Sequence, residues 1–323
     1  MKQLTISFII PSYNEAANLQ HCHKAIYDEM NKLFYDYEIL FIDDGSIDRS
    51  MEIIQGLSFD FPEVKYVSFT RNFGKEAAIL AGLQHATGDA VIMMDADLQH
   101  PASMIAQLIK GFEEGYDQVV AKRNRQGDAR LKTLLATTYY RFVNKTIDVE
   151  LKDGEGDFRL LSRKAVDALL LLSEGNRFSK GLYSWIGLEQ KTISYENVVR
   201  EQGKSKFTFP KLLNYGIDGI VSFNTKPLRF CFYMGALTVI LSILYIAFSF
   251  IQITQQGITV PGYFTTITAV LLLGGIQLIC LGIIGEYIGR IYNETKKRPH
   301  YLVRRSNVQP GLEGEESYAV HRS

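Results

Sequence analysis

The apolar run Val91-Ile92-Met93-Met94 ends abruptly in Asp95-Ala96-Asp97-Leu98-Gln99-His100, which sets two carboxylates one small residue apart at the end of a strand. Alternate residues of an extended segment face the same way, so both side chains can reach one hard cation and, through it, a diphosphate. Mg2+ or Mn2+ suits that role, because each takes oxygen ligands and keeps positions open for phosphate oxygens. A solvated loop after a core strand would carry the same triplet, and on these residues alone the two readings stand level. Three other polar groups follow apolar runs in the same way: Asn14 with Glu15, Asp43 with Asp44, and Arg71 with Asn72. A turn or helix cap accounts for any one of them, since Asp, Asn and Gly do that work everywhere. Four in succession, one of them a spaced aspartate pair, fit that account less comfortably.

The elements that must position these groups follow from the pattern. Ile6–Ile10, Glu38–Ile42, Val64–Phe69, Val91–Met94 and Gln118–Ala121 read as buried strands. Helices are expected from Glu15 to Leu33, through Met51 to Leu57, from Glu76 to Ala86 and after Pro101. Pro11 is expected to break the first strand. Strands alternating with helices mean a mostly parallel, doubly wound sheet, and such a sheet gathers the polar strand ends along one edge, where ligands bind.

Composition narrows the chemistry. The chain has 323 residues and a formal net charge of zero, which argues against a general nucleic-acid binder. Cys22, Cys231 and Cys280 are too far apart for a metal pattern or a disulfide framework. No Gly-x-Gly-x-x-Gly follows the first strand, and neither a phosphate-binding P-loop nor a His-Glu-x-x-His occurs. The apolar run after Met1-Lys2-Gln3 is about six residues, short of the 7–15 of a signal peptide, so the first domain is expected in the cytoplasm.

Taken together, Ile9-Ile10-Pro11-Ser12-Tyr13-Asn14-Glu15, Ile42-Asp43-Asp44-Gly45-Ser46 and Asp95-Ala96-Asp97-Leu98-Gln99-His100-Pro101 resemble the family 2 inverting glycosyltransferases. Arg71-Asn72-Phe73-Gly74-Lys75 and Gly156-Asp157-Phe158-Arg159-Leu160 are similar to the polyprenyl-phosphate group within it, that of bactoprenol glucosyltransferases and dolichyl-phosphate mannose synthases. The resemblance implies an α/β nucleotide-sugar-binding, GT-A-like domain. It places Pro11, Tyr13, Glu15, Asp43 and Asp44 on the base and ribose, Asp95 and Asp97 on the metal and diphosphate, and Asp157 beside the acceptor. It also implies homo-oligomers.

Beyond the sheet, Asp128 to about Lys145 reads as a basic and aromatic helix, for a membrane surface or a solvated core helix alike. Asp153–Asp157 reads as a glycine-rich acidic turn before a strand at Phe158–Leu161, and Lys191–Val199 as an edge strand. The basic loop from Arg200 to Phe207 can attract lipid phosphate by charge. The family pattern assigns the acceptor's phosphate to Arg200, Lys204 and Lys206.

The expected domain plan is a cytoplasmic catalytic domain over 1–208 and an interfacial amphipathic segment over 209–229. Transmembrane helices follow at 230–253 and 264–288, joined by a short external loop at 254–263. Both apolar runs exceed the roughly 20 residues needed to cross the hydrocarbon. A cytoplasmic basic segment occupies 289–323, disordered from Asn307 onward. Lys226 and Arg229 precede the first run and Arg290, Lys296, Lys297, Arg298, Arg304 and Arg305 follow the second, so the positive-inside rule puts both ends in the cytoplasm of an inner-membrane protein.

The implied reaction is attack by a polyprenyl phosphate, undecaprenyl phosphate in bacteria, on the anomeric carbon of a nucleotide sugar. The resemblance favours UDP-glucose, then UDP-N-acetylglucosamine, then GDP-mannose. Two rivals are a processive polysaccharide synthase and a non-catalytic nucleotide-sugar-binding membrane scaffold. The first usually carries Gln-x-x-Arg-Trp, and the only tryptophan here, Trp185, lacks that context. The intact Asp95, Asp97 and Asp157 speak against the second.

Overall fold

The computed structural model describes residues 4–123, 144, 154–175, 177–195, 226–256 and 262–308. Strands β1 (Thr5–Ser12), β2 (Asp36–Asp43), β3 (Val64–Phe69) and β4 (Ala90–Met93) alternate with helices α1 (Leu19–Met30), α2 (Ser50–Asp60) and α3 (Lys75–His85). Helix α4 (Met104–Glu113) leads to β5 (Gln118–Arg123). Strand β6 (Glu155–Ser162), helices α5 (Arg163–Leu170) and α6 (Ser179–Trp185), and β7 (Gln190–Tyr195) complete the domain before two long helices, α7 (Lys226–Gln256) and α8 (Tyr263–Thr295). A last strand, β8, covers Val303–Ser306.

The eight strands form one sheet in the order β7-β5-β6-β4-β1-β2-β3-β8. Its two faces follow the period of two that strands impose on their side chains. Phe8, Phe41, Ile92 and Leu160 lie in one apolar cluster with residues of α1, α2 and α4. Their neighbours Ile9, Leu40, Val91 and Leu161 lie in the other, with residues of α3, α5 and α6. The central strands β1, β2 and β4 are buried on both sides, which is why the sequence shows continuous apolar runs there rather than alternation.

The sheet is mostly parallel as expected, at β1·β2, β1·β4, β2·β3 and β5·β7, with β6 antiparallel to both β4 and β5. Other expectations are corrected. Strand β6 starts at Glu155, so Asp157 lies in an extended strand rather than in the acidic turn. Pro11 does not end β1, which pairs on to Ser12. The chain turns at Asn14, whose φ is +54°, and Glu15 opens a turn, its carbonyl accepting from Asn18 N and Leu19 N, so α1 begins only at Leu19. β8 falls within the expected basic segment, where no strand was foreseen, and pairs antiparallel with β3. Asn307 is likewise fixed rather than free: its side chain accepts from Tyr66 N at 2.6 Å and donates to Val64 O at 3.3 Å. The expected basic helix near 128–145, apart from Asn144, the interfacial segment 209–229 as far as residue 225, and the loop bearing Arg200, Lys204 and Lys206 lie outside the described residues, while residues 226–229 belong to α7 rather than to a separate segment.

α7 and α8 pack against each other. Among the described residues one stretch, Leu272–Thr295, is long and apolar enough to cross a membrane. Many large apolar side chains of both helices are exposed, Phe232, Leu244, Phe248, Leu278 and Ile279 among them.

Candidate active site

A crevice opens between β1 and β4. β1 pairs with β2 as far as Ser12 and Asp43, but with β4 only as far as Ile9 and Met93. The last link is Met94 N donating to Ile9 O at 3.1 Å. Successive strands lie to opposite sides of β1 here, which makes this the switch point at which doubly wound sheets bind ligands. Pro11 stands past the last β4 pairing, an edge-like place that tolerates a residue without an N–H.

Asp95 and Asp97 follow β4 directly, at the mouth of the crevice. Asp97 accepts from Gln99 Nε2 at 2.8 Å and from Gln99 N at 3.3 Å. Asp157 reaches the same place from the other direction. Met93 pairs with Arg159 across the antiparallel β4·β6 ladder, so two more residues along each strand bring Asp95 level with Asp157. Lys75 joins them, its Nζ 2.7 Å from Asp95 Oδ1 and 2.8 Å from Asp157 Oδ2. The Lys75 side chain as a whole is 45% exposed, against 20% for Asp157.

This cluster sets its own charges. Burial pushes the Asp157 carboxyl up, but Lys75, then Lys180 and Arg159, hold it down at about 2. Burial works against the Lys75 ammonium, and Asp157 and Asp95 more than offset it, so its pKa lies well above the ordinary lysine value. Both groups are therefore ionised at neutral pH. His100 is depressed chiefly by burial, against the pull of Asp95 and Asp97. It stacks on Phe158 at 4.8 Å, and its Nδ1 lies 2.5 Å from the Tyr195 hydroxyl.

Asp43 and Asp44 are buried and hold loops in place. Asp43 accepts from Ser46 N at 3.1 Å and Ser68 Oγ at 2.7 Å. Asp44 accepts from Phe73 N at 2.6 Å and Gly74 N at 2.9 Å, which fixes the turn from which α3 starts at Lys75. Asp44 thus positions the lysine that bridges the other two carboxylates. Glu15 accepts from Asn18 Nδ2 at 2.6 Å while its N–H donates to Ser50 Oγ at 3.0 Å, tying the approach to α1 onto α2. Tyr13 is partly exposed and, with Asp43, lines a cavity of about 550 Å3 beside the crevice. Arg159 is buried, its Cζ 3.8 Å from the Tyr183 ring centre and its Nη2 donating to Gly156 O at 2.8 Å, which shapes the chain on either side of Asp157.

The structure therefore links Asp95 to Asp157 through Lys75, with Asp97 two residues further along the same segment, and sets Tyr13 and Asp43 on the wall of the neighbouring cavity. The sequence reading missed Lys75 as a site residue, although it closes the Arg71–Lys75 motif. The one sequence signal was its place at the end of that motif.

The donor set fits a hard divalent ion in kind. Asp95 and Asp97 supply carboxylate oxygens from one short segment, and an ion that keeps waters and phosphate oxygens needs only one or two protein carboxylates. Among the described residues no three His, Cys, Asp or Glu side chains form a group that could hold a metal ion by themselves.

Comparison with known proteins places this geometry. The profile of Glycosyl transferase family 2 matches residues 7–170, and that of the GtrB C-terminal hairpin matches 226–291. The provisionally named glycosyltransferase CsbB of Bacillus subtilis (strain 168) is 61% identical over 95% of this chain and 94% of its own. The bactoprenol glucosyl transferase of Shigella phage SfX is 44% identical over 93% of this chain and 99% of its own. The prophage bactoprenol glucosyl transferase homolog of Escherichia coli (strain K12) is 42% identical over 94% and 99%. With the crevice and its three aspartates inside the first matched region and nearly all of the paired long helices inside the second, the chain belongs to glycosyl transferase family 2, a glycosyltransferase of GT-A-like fold carrying the GtrB-type C-terminal hairpin.

Proposed function

We propose that the chain transfers a hexosyl unit, glucose from UDP-glucose in the first instance, to the phosphate of a polyprenyl lipid such as undecaprenyl phosphate, with inversion. The observation that carries this reading is the ion pair of Lys75 with both Asp95 and Asp157, at 2.7 and 2.8 Å, which couples the expected diphosphate side to the expected acceptor side. The names of the phage and prophage relatives support the sugar and the lipid.

In this reading a phosphate oxygen of the lipid attacks the anomeric carbon, the bond from that carbon to the diphosphate oxygen breaks, and the nucleoside diphosphate leaves with the electron pair. A phosphate monoester has its second pKa near 6, so the attacking group is already ionised at neutral pH and requires no base. Asp157, ionised and facing the crevice, orients the acceptor and stabilises positive charge growing on the sugar. Lys75 holds Asp157 and Asp95 in register and offsets negative charge on the departing side. Asp95 and Asp97 would hold Mg2+ or Mn2+, which supplies charge neutralisation to the leaving diphosphate. Arg200, Lys204 and Lys206 are proposed to receive the lipid phosphate.

The paired helices α7 and α8 are read as a two-span hairpin in the inner membrane, with the catalytic domain on the cytoplasmic face. To test the whole reading, membranes holding the protein are incubated with undecaprenyl phosphate and a panel of nucleotide sugars, and the lipid product is weighed. A single hexosyl phosphate lipid, formed with UDP-glucose, lost on chelation and restored by Mg2+ or Mn2+, is expected. A long polymer, or no product with any donor, refutes it.

A further inference from the structure

The cavity of about 550 Å3 next to the crevice is only partly walled by the family motifs. Tyr13, Asp43 and Arg71 line one side, but Arg304 and Arg305 of β8 close another. Both arginines lie outside the matched stretches 7–170 and 226–291 and reach the cavity from beyond α8.

Strand β8 is fastened at both ends. Before it, Thr70 N donates to Leu302 O at 2.9 Å, and Tyr301 stacks on Phe69 at 4.7 Å while its hydroxyl donates to Gln84 Oε1 at 2.6 Å. After it, Asn307 bridges Tyr66 N and Val64 O. Consecutive strand residues ordinarily face opposite sides, yet both arginines line one cavity. The register explains this: Ser68 pairs with Arg305 and Phe69 with Val303, so Arg304 is an extra residue in a bulge. Bulges re-aim side chains in this way. Both side chains are exposed, and among the described residues neither guanidinium makes a hydrogen bond or ion pair.

We propose that Arg304 and Arg305 bind the nucleoside end of the nucleotide-sugar donor, so that the donor site is completed by the chain's return from the helical hairpin. This rests on the donor reading above. Asp95, Asp97 and Lys75, the diphosphate side of that reading, are absent from the cavity wall. The wall also mixes Asp48 and Glu52 with the arginines, a balance suited to a polar, uncharged heterocycle rather than to phosphate. A guanidinium offers planar donors to ring carbonyls and a flat face for stacking.

The test is calorimetric titration of UDP and of UMP into the full chain in detergent, for wild type, the Arg304→Gln/Arg305→Gln double variant, and Asn307→Ala, which loosens β8 without removing either arginine. The double variant is expected to weaken both nucleotides by the same factor, about tenfold or more, with amide exchange in β3 and β8 unchanged. Asn307→Ala is expected to weaken both as well. Unchanged UDP affinity in the double variant overturns the proposal, and so does a loss for UDP that UMP does not share, which would assign the arginines to the β-phosphate. If wild type binds neither nucleotide, the UDP-sugar reading itself falls and takes this assignment with it.

Discussion

Lys75 stands at the centre of the residue-scale argument, because a single ammonium serves two carboxylates with different expected tasks. Removing it leaves Asp95 and Asp157 facing each other across the crevice mouth without their shared counter-charge. Lys75→Ala is therefore expected to lower kcat about 100-fold, the scale of losing one pre-organised electrostatic group. Lys75→Arg, which keeps the charge but not the point-like geometry, should recover part of it. The measurement is release of nucleoside diphosphate on adding lipid phosphate. Asp97→Ala and Asp157→Ala should each abolish transfer in a protein that still folds, and full activity in either would refute its role. Because Lys75 and Asp157 act as one unit, the Lys75→Ala/Asp157→Ala pair should lose much less than the product of the single losses. Multiplicative losses would mean that the ion pair at 2.8 Å is incidental to transfer.

At the scale of elements, the question is what holds the strand ends where the site needs them. Gly45, in the turn after β2, has φ +67°, and a Cβ there would lie 2.3 Å from the Arg71 carbonyl carbon. Gly45→Ala should thus displace the loop after β3, costing more than about 1 kcal/mol of stability and weakening nucleotide binding together. Thermal unfolding and UDP titration of one preparation check both. At the opposite edge of the sheet, the buried Glu38 accepts from Ser7 Oγ at 2.6 Å and Thr87 N at 2.7 Å, and pairs with Lys65 at 2.5 Å. Burial raises its pKa, yet Lys65, Ser7 and Thr87 together bring it below the usual value. A carboxyl depressed on folding contributes stability above its unfolded pKa and loses it as pH falls through the folded one. Glu38→Gln should accordingly lower the melting temperature at pH 7, by the equivalent of about 1–3 kcal/mol, and the gap to wild type should narrow below about pH 4. A gap independent of pH would assign the loss to packing.

The same scale explains what the sequence made legible. Asp43, Asp44, Asp95 and Asp97 were readable because each follows an apolar strand within a few residues, a local pattern. The direction of β6 was not, since whether a strand enters parallel or antiparallel depends on the long connection from Arg123 to Glu155 rather than on its own residues. With that direction unknown, the level placement of Asp157 with Asp95 and the reach of Lys75 stayed hidden. β8 was hidden for another reason. Val303-Arg304-Arg305-Ser306 is short and charged, and only pairing with β3 makes it a strand.

For the whole molecule, β8 constrains topology more tightly than hydropathy does. Taken alone, the one stretch among the described residues that passes on length and composition, Leu272–Thr295, would allow a single crossing. A single crossing would leave the catalytic domain and the residues after α8 on opposite faces of the bilayer. Val303–Ser306 is hydrogen-bonded into the same sheet as β1 to β7, and Gly175 N donates to Glu294 Oε1 at 2.7 Å, so the chain must return to the face it left. If the helices cross a bilayer, the number of crossings between Tyr195 and Val303 is then even, and two long helices packed side by side match the two-span hairpin of the proposed reading. The charge pattern agrees, with cations before α7 and after α8 and none in the connecting loop 257–262. In a cysteine-free background, single cysteines are placed at Gly257, between α7 and α8, and at Ser306, the last residue of β8. An impermeant maleimide added to intact cells should label the first and leave the second until the cells are opened. Labelling of Ser306→Cys from outside would mean that β8 pairs with β3 only in a chain that does not cross twice, and the hairpin reading would fall with it.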